Sequence, residues 1–159
     1  MAAEVLTPEA LEALKVISLG KVGSALAVSL AAVGSCLGTG AAGMAAVGAW
    51  KKCFDQNKPA PFLLVAFVGA PITQVFYGLI VMFTLNGKAD AGAAFPGLIG
   101  WGLFAGLAMG MSAWMQGKTG AAASDALAET GKGFANYLMA LGVIESVALF
   151  VMIFALIGS

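Results

Sequence analysis

The chain of 159 residues contains no arginine and no histidine, and only 10% of its residues are charged, against about 25% in an average soluble domain. These absences exclude an arginine clamp and a histidine-based metal or catalytic site. Together with the low share of charged residues, they also exclude a basic patch for nucleic acid. What is abundant is hydrophobic: 60% of the residues, with a further 22 glycines. This composition excludes a soluble globular enzyme and a disordered chain, and it indicates an integral membrane protein.

Cysteine is also scarce. The two cysteines, Cys36 and Cys53, are 17 positions apart, which on one helix corresponds to about 25 Å. That distance is too long for a disulfide. We expect two free thiols that pack as small apolar side chains.

Charged residues are confined to short clusters that separate four long uncharged stretches. The stretches are 22–50, 59–87, 91–117 and 133–159, and the last contains a single charge, Glu145. About 20 apolar residues cross the hydrocarbon core as a helix. A helix also satisfies its own backbone hydrogen bonds in lipid. The predicted fold class is therefore an all-α membrane protein with four transmembrane helices.

The same clusters predict an orientation in the membrane. Residues 51–58 carry a net charge of +2, and the positive-inside rule places this loop in the cytoplasm. Four spans put both termini on one side, so we expect both termini outside and the loop 118–132 also in the cytoplasm.

The N-terminal segment is unlike a secretory signal. Its first charge, Glu4, is acidic, and no basic segment precedes an apolar core of suitable length. Thr7 followed by Pro8 is typical of a helix start, with threonine as the N-cap. Residues 1–21 are predicted to form a short amphipathic lead-in to span 1.

The two halves of the chain resemble each other. Residues 72–75 and the apolar run after them align with residues 143–146 and their apolar run at an offset of 71. This alignment places Gln74 opposite Glu145.

Spans 1 and 3 also match, at an offset of 77 that pairs residues 38–40 with 115–117. A longer first cytoplasmic loop explains the difference between the two offsets. The pattern predicts a tandem duplication of a helical hairpin. Hairpin 1 then covers residues 22–87, and hairpin 2 covers residues 91–159.

Small residues recur along spans 1 and 3 at spacings of three and four, which draws one stripe along each helix. Such stripes let helix backbones approach closely in lipid, whereas spans 2 and 4 are rich in bulky residues. We therefore predict two close-packed inner helices and two bulkier outer helices. The span 1 stripe comprises Gly20, Gly23, Ala27, Ala31, Gly34, Gly38, Ala41, Ala45 and Gly48. The span 3 stripe comprises Gly102, Gly106, Gly110, Ala113, Gly117 and Gly120.

The length of both stripes suits packing that is repeated between many copies in a ring. The alternative is an ordinary contact of small residues within one chain. The glycines predicted to pack the ring are Gly34, Gly38, Gly102, Gly106, Gly110 and Gly117.

Two glycine motifs look like nucleotide-binding loops. Residues 38–43 match G-x-G-x-x-G, and Gly117-Lys118-Thr119 resembles the end of a phosphate-binding loop. Both motifs need a preceding strand, and here they occur in or beside predicted hydrophobic helices. We expect no nucleotide to bind this chain.

Glu145 is an isolated carboxylate near the middle of span 4, with 12 uncharged residues before it and 14 after it. An unpaired ionised carboxylate at that depth costs about 2.5–3.5 kcal/mol even by low estimates. It must therefore be protonated, neutralised by a bound cation, or paired with a charge from another protein. A protonated glutamate with a structural role only is the alternative to a functional site.

Polar residues at a similar depth are candidate neighbours of this carboxylate. Thr73, Gln74 and Tyr77 share one face of span 2, and Gln116 lies near the end of span 3. Pro71 lacks an N–H, so it distorts span 2 and exposes nearby carbonyls. Hydroxyl, amide and carbonyl oxygens around one carboxylate form a hard-oxygen set that suits a monovalent alkali cation.

Together these features strongly resemble the proteolipid subunit, called K or c, of bacterial V-type (V/A-type) rotary ATPases. The resemblance extends from about residue 15 to residue 159 and is carried by the doubled glycine-striped hairpin and four elements. These elements are Pro71-Ile72-Thr73-Gln74, Tyr77, Gln116-Gly117-Lys118 and Glu145.

The resemblance implies a rotor ring of about ten copies in the plasma membrane of a bacterium, with odd spans inside and even spans outside. ATP would be hydrolysed on separate soluble subunits, so this chain would be a non-catalytic membrane subunit. A stator subunit would supply the arginine that this chain lacks, and central-stalk subunits would contact the cytoplasmic loops.

The resemblance also implies roles for the candidate residues. In the sodium-transporting branch of the family, the ligands correspond to Glu145, Thr73, Gln74, Gln116 and the backbone carbonyl of Ala70. The family tyrosine that holds the glutamate corresponds to Tyr77, and Pro71 supports the site. The implied cargo is Na⁺, with H⁺ alone as the alternative.

Gln74 occupies the position where an undivided ancestor would carry a second carboxylate. One ion per four spans is therefore expected, which gives a low ratio of ions to ATP and favours pumping over synthesis.

Two other classes of protein remain as alternatives. A small proton-coupled secondary transporter would place aromatic residues around its carboxylate, but Glu145 is flanked by Ile144, Ser146 and Val147. A purely structural four-span protein would not depend on Glu145.

Overall fold

A computed structural model describes residues 7–159, and this part of the chain is helical, with no strand among the described residues. The elements are α1 Pro8–Asp55, α2 Leu64–Gly69, a 3-10 turn Ala70–Ile72, α3 Thr73–Asp90, α4 Phe95–Thr130 and α5 Phe134–Gly158. Span 2 is formed by α2, the 3-10 turn and α3 together. Within the described range, four helical stretches are long and apolar enough to cross a membrane, which confirms the predicted fold class.

The first helix starts where the sequence predicts. Oγ1 of Thr7 accepts a hydrogen bond of 3.3 Å from the backbone N–H of Ala10, and Pro8 occupies the first helical position. The helix then runs without a break for 48 residues, so the described part of the lead-in and span 1 form one rod. Residues 1–6, which include Glu4 and begin the predicted lead-in, lie outside the described residues.

The predicted loop 118–132 is wrong as a loop, because α4 continues to Thr130. The helix ends at Gly131, whose φ of 67° lies in the left-handed region that glycine adopts without strain. Lysines and carboxylates are compatible with a helix in water, so a charged cluster marks where the chain leaves lipid rather than where a helix stops. For the same reason, residues 51–55 of the first predicted loop extend α1.

The two long helices, α1 and α4, pack against each other more extensively than any other pair. Their glycines make this possible, because backbone lies directly on backbone where Gly34 meets Gly110 and where Gly38 meets Gly117. A methyl group at any of these positions would overlap the facing backbone. Within one chain, the predicted ring-packing glycines thus serve the contact between α1 and α4. Their role between copies stays a prediction.

The stripe on span 3 is confirmed, since all six of its residues are buried. The stripe on span 1 is confirmed only as far as Gly38. Beyond it, the buried small residues are Ala42, Ala46 and Ala49 rather than the predicted Ala41, Ala45 and Gly48. The contact face advances from Gly38 by two steps of four and then one of three. Since small residues occur on every side of this segment, the sequence pattern could not select the right register.

Spans 2 and 4 present bulky side chains outward, as predicted. Phe83 on α3 and Phe154 on α5 are each more than 60% exposed. Along the whole of α5, only Leu141, Ala148 and Ala155 are fully buried. The outer spans therefore offer a large apolar surface to lipid or to other chains.

Both cysteines are free thiols, as predicted, with Cys36 exposed and Cys53 buried. The G-x-G-x-x-G sequence at residues 38–43 lies in the middle of α1, and Gly117-Lys118-Thr119 lies within α4.

Candidate ion-binding site

The site begins at the break in span 2. Pro71 has no N–H to continue an α-helix, and the chain tightens there into the 3-10 turn Ala70–Ile72. The backbone N–H of Thr73 bonds to the carbonyl of Ala70, and its side-chain Oγ1 lies 3.0 Å from the same carbonyl oxygen. The distortion predicted from Pro71 therefore brings the Ala70 carbonyl and the Thr73 hydroxyl together.

A third oxygen joins this pair. Oγ1 of Thr73 also lies 3.1 Å from Oε1 of Gln74. A hydroxyl carries one hydrogen and can donate it fully to one acceptor only. Three oxygens therefore share one hydrogen, which leaves electron-rich atoms suited to a cation.

Two buried glutamines connect span 2 to the rest of the site. Nε2 of Gln74 donates a hydrogen bond of 2.9 Å to Oε1 of Gln116 on α4, and both side chains are completely buried. Nε2 of Gln116 in turn donates to the carbonyl of Leu141 at 3.0 Å and to Oε2 of Glu145 at 3.2 Å, both on α5. The network thus links three helices, and its buried amide groups are satisfied, as buried polar groups in folded proteins usually are.

Glu145 lies half-buried on α5 and accepts hydrogen bonds at both oxygens. The second donor is the hydroxyl of Tyr77 on α3, which lies 2.8 Å from Oε1 of Glu145. Both of these partners are neutral groups of the same chain. The ion pairs found within residues 7–159 do not include Glu145, so no lysine in that range neutralises it.

The chemistry of these donors points to one kind of ion. Among the described residues, no three histidine, cysteine, aspartate or glutamate side chains cluster as a metal site would require. One carboxylate with several neutral oxygens matches a monovalent alkali cation better than Ca²⁺ or Mg²⁺, which usually take more carboxylates.

Residues 99–158 match the family model of the ATP synthase C subunit. No curated protein sequence matches the chain. The matched segment is less than half of the chain and comprises spans 3 and 4, so it includes Gln116 and Glu145 but not the ligands predicted on span 2. The similarity supports the prediction of a c-type proteolipid.

Tyr77 and Gln116 contact Glu145 directly, and the other predicted site residues connect to it through the hydrogen-bonded network or, for Pro71, lie in the 3-10 turn where that network begins. These other residues are the Ala70 carbonyl, Pro71, Thr73 and Gln74. Sequence reasoning missed two partners. One is the Leu141 carbonyl, and the other is Ser112, whose Oγ donates a hydrogen bond of 2.8 Å to the carbonyl of Ile144. The only sequence signal for Ser112 was a hydroxyl one helical turn before Gln116.

Proposed function

We propose that this chain is the ion-carrying rotor-ring subunit of a V-type rotary ATPase and that its cargo is Na⁺. The observation that carries the proposal is the position of Glu145, a carboxylate in an apolar span that both Tyr77 and Gln116 contact and that is linked through Gln116 to the oxygens of span 2. The similarity of residues 99–158 to the ATP synthase C subunit supports the rotor assignment.

Na⁺ is favoured over H⁺ because of what surrounds the carboxylate. A proton carrier needs only the carboxyl group, whereas this site also assembles a hydroxyl, two amides and a distorted backbone carbonyl. The ion would be held by Glu145, Thr73, Gln74, Gln116 and the carbonyl of Ala70. The support for Na⁺ is that the Ala70 carbonyl, the Thr73 hydroxyl and Oε1 of Gln74 lie next to one another with a single hydroxyl hydrogen among them, an oxygen-rich arrangement that a cation would stabilise.

The mechanism follows from charge. With the cation bound, the site is neutral and can turn past lipid, but an empty ionised Glu145 cannot do so cheaply. Release then needs a positive group near Glu145. The chain has no arginine, so a stator subunit must supply it. Glu145 lies on an outer span and is only half-buried, which leaves it open to such a partner.

The assembly follows from the same proposal. A ring of about ten copies would lie in a bacterial plasma membrane with both termini outside. The ends near residues 51–58 and 118–132 would face the cytoplasm, where central-stalk subunits bind and ATP is hydrolysed by other chains.

The proposal is tested with a carbodiimide, which attacks protonated buried carboxyl groups. In native membranes, we expect labelling at Glu145, protection by Na⁺, and no labelling in Glu145→Gln. Glu129→Gln is the matched control, because Glu129 is an exposed carboxylate at the end of α4 and its loss leaves labelling unchanged. Labelling that ignores Na⁺ but falls with rising pH would indicate a proton ring. No labelling would contradict both versions.

A secondary transporter with a lone carboxylate is the competing function. It predicts a dimer and fluxes coupled to a substrate. Here the carboxylate is held by a tyrosine hydroxyl and a glutamine amide of its own chain, and the glutamine links it to the hydrogen-bonded residues of span 2. This arrangement fits a small ion better than an organic substrate.

A further inference from the structure

The backbone of α5 is held by two side chains of α4 close to Glu145. Oγ of Ser112 donates a hydrogen bond of 2.8 Å to the carbonyl of Ile144, the residue just before Glu145. One helical turn further along α4, Nε2 of Gln116 donates one of 3.0 Å to the carbonyl of Leu141. Ser112 is only 6% exposed and does not itself contact the carboxylate.

These two bonds are important because they are the ones that hold the backbone of α5 next to Glu145. The helix is strongly apolar, and few of its residues are fully buried. Between helices in lipid there is no hydrophobic force that selects one rotation, so packing and interhelical hydrogen bonds must do so. Rotating a helix about 10–12 Å wide by roughly 15° moves a side chain on its surface by roughly 1.5 Å.

Such a displacement would be enough to break the site. The carboxylate of Glu145 is held at 2.8 Å by Tyr77 and at 3.2 Å by Gln116, and a hydrogen bond is lost when its length grows by much less than that displacement. The bond of Ser112 to the residue next to Glu145 therefore controls the position of the carboxylate.

We propose that Ser112 is a positioning residue of the ion site, which raises the affinity for the cation by fixing the rotation of α5 without touching the ion. The inference rests on the proposed function, because it concerns the same carboxylate. Ser112 would then belong to the site without binding the ion and without contacting Glu145.

The chain contains its own control for this idea. The offset of 77 that relates spans 1 and 3 pairs Ser112 with Ser35, which is likewise buried, at 4% exposed. The hydroxyl of Ser35 has no hydrogen-bond partner within the described part of the chain. The two serines thus occupy equivalent places in the two hairpins, but only one of them is bonded beside a carboxylate.

The experiment measures carbodiimide labelling of Glu145 in native membranes at a series of Na⁺ concentrations. The variants are Ser112→Ala, Ser112→Cys, Ser112→Thr and Ser35→Ala. Ser112→Cys keeps nearly the same volume with a weak donor, so it tests the bond where alanine would disturb packing. An interhelical bond in a membrane is worth a factor of about three to fifteen. We therefore expect Ser112→Ala and Ser112→Cys to need about fivefold more Na⁺ for half protection.

Ser35→Ala should leave the half-protecting Na⁺ concentration unchanged, and Ser112→Thr, which keeps the hydroxyl, should restore it. The inference is overturned if Ser112→Ala and Ser112→Cys have the same half-protecting Na⁺ concentration as the wild type. It is also overturned if Ser35→Ala raises that concentration as much as they do. If the wild type shows no Na⁺ protection, the sodium proposal fails separately. The positioning role is then judged from the pH at which labelling is half-maximal, which must move in Ser112→Cys and not in Ser35→Ala.

Discussion

The hydroxyl of Tyr77 on α3 donates a hydrogen bond of 2.8 Å to Oε1 of Glu145 on α5. This bond closes the side of the carboxylate that Gln116 does not cover. It therefore joins the two outer spans at the one charged group inside the membrane.

Tyr77→Phe should weaken Na⁺ binding by about ten- to a hundredfold, because a hydrogen bond to a charged group is worth about 1.5–3 kcal/mol. The half-protecting Na⁺ concentration against carbodiimide measures this change. Tyr137→Phe is the matched control, since Tyr137 packs its ring edge-on against Phe67 at 6.3 Å, outside the site. Equal behaviour of the two variants would contradict a role for Tyr77 in holding Glu145.

Thr73→Val should also lower the Na⁺ affinity by about tenfold. Valine keeps the shape of the side chain but removes the oxygen that lies close to the Ala70 carbonyl and to Gln74. Thr84→Val changes the same helix in the same way, but the Thr84 hydroxyl only bonds back to Ile80. Uptake of radioactive sodium into vesicles reports the difference, and a normal affinity in Thr73→Val would remove Thr73 from the ligand set.

Gly38→Ala should destabilise the protein by about 1–3 kcal/mol, the usual cost of overpacking a filled contact. A methyl group at Gly38 would overlap the backbone carbonyl of Ala113. The control is Gly40→Ala, two positions away, where a methyl group meets nothing within 4 Å. Thermal unfolding of the detergent-solubilised chain should show a lower Tm for Gly38→Ala only, and equal Tm values would contradict the close contact of α1 with α4.

The number of ions moved per ATP should be low. Hairpin 1 carries the uncharged Gln74 where hairpin 2 carries Glu145, so we expect each copy of four spans to bind one ion instead of two. Counting Na⁺ transported per ATP in reconstituted vesicles tests this expectation. A count close to that of rings built from two-span subunits would contradict it.

The sequence was enough to select the candidate site residues, because polar residues inside these spans are so rare. Thr73, Gln74, Gln116 and Glu145 stand out against an apolar background, and helical spacing then places them at a similar depth. Ser112 did not stand out, because a serine in a stripe of glycine and alanine looks like a packing residue. Its partner is a backbone carbonyl on another span, and only the tertiary arrangement brings the two together.

The lengths of the helices were harder to predict than their number. Apolar length defines what lipid can accept, but α4 continues to Thr130 because nothing in residues 118–130 stops a helix in water. Which face of α1 is buried beyond Gly38 could not be predicted either, because Ala41 and Ala42 are both small. The choice between them is made by the facing helices.

Bare backbone where Gly38 meets Gly117 and large side chains such as Phe83 and Phe154 on α3 and α5 would, in the proposed ring, make each copy a wedge that is narrow at α1 and α4. When wedges are set side by side, they close into a circle, and the angle of one wedge fixes how many are needed. Adding volume at the narrow edge would flatten the wedge and enlarge the circle. If the chain forms the proposed ring, the number of ions carried in one turn would therefore depend on the bulk of residues far from Glu145 as well as on Glu145 itself.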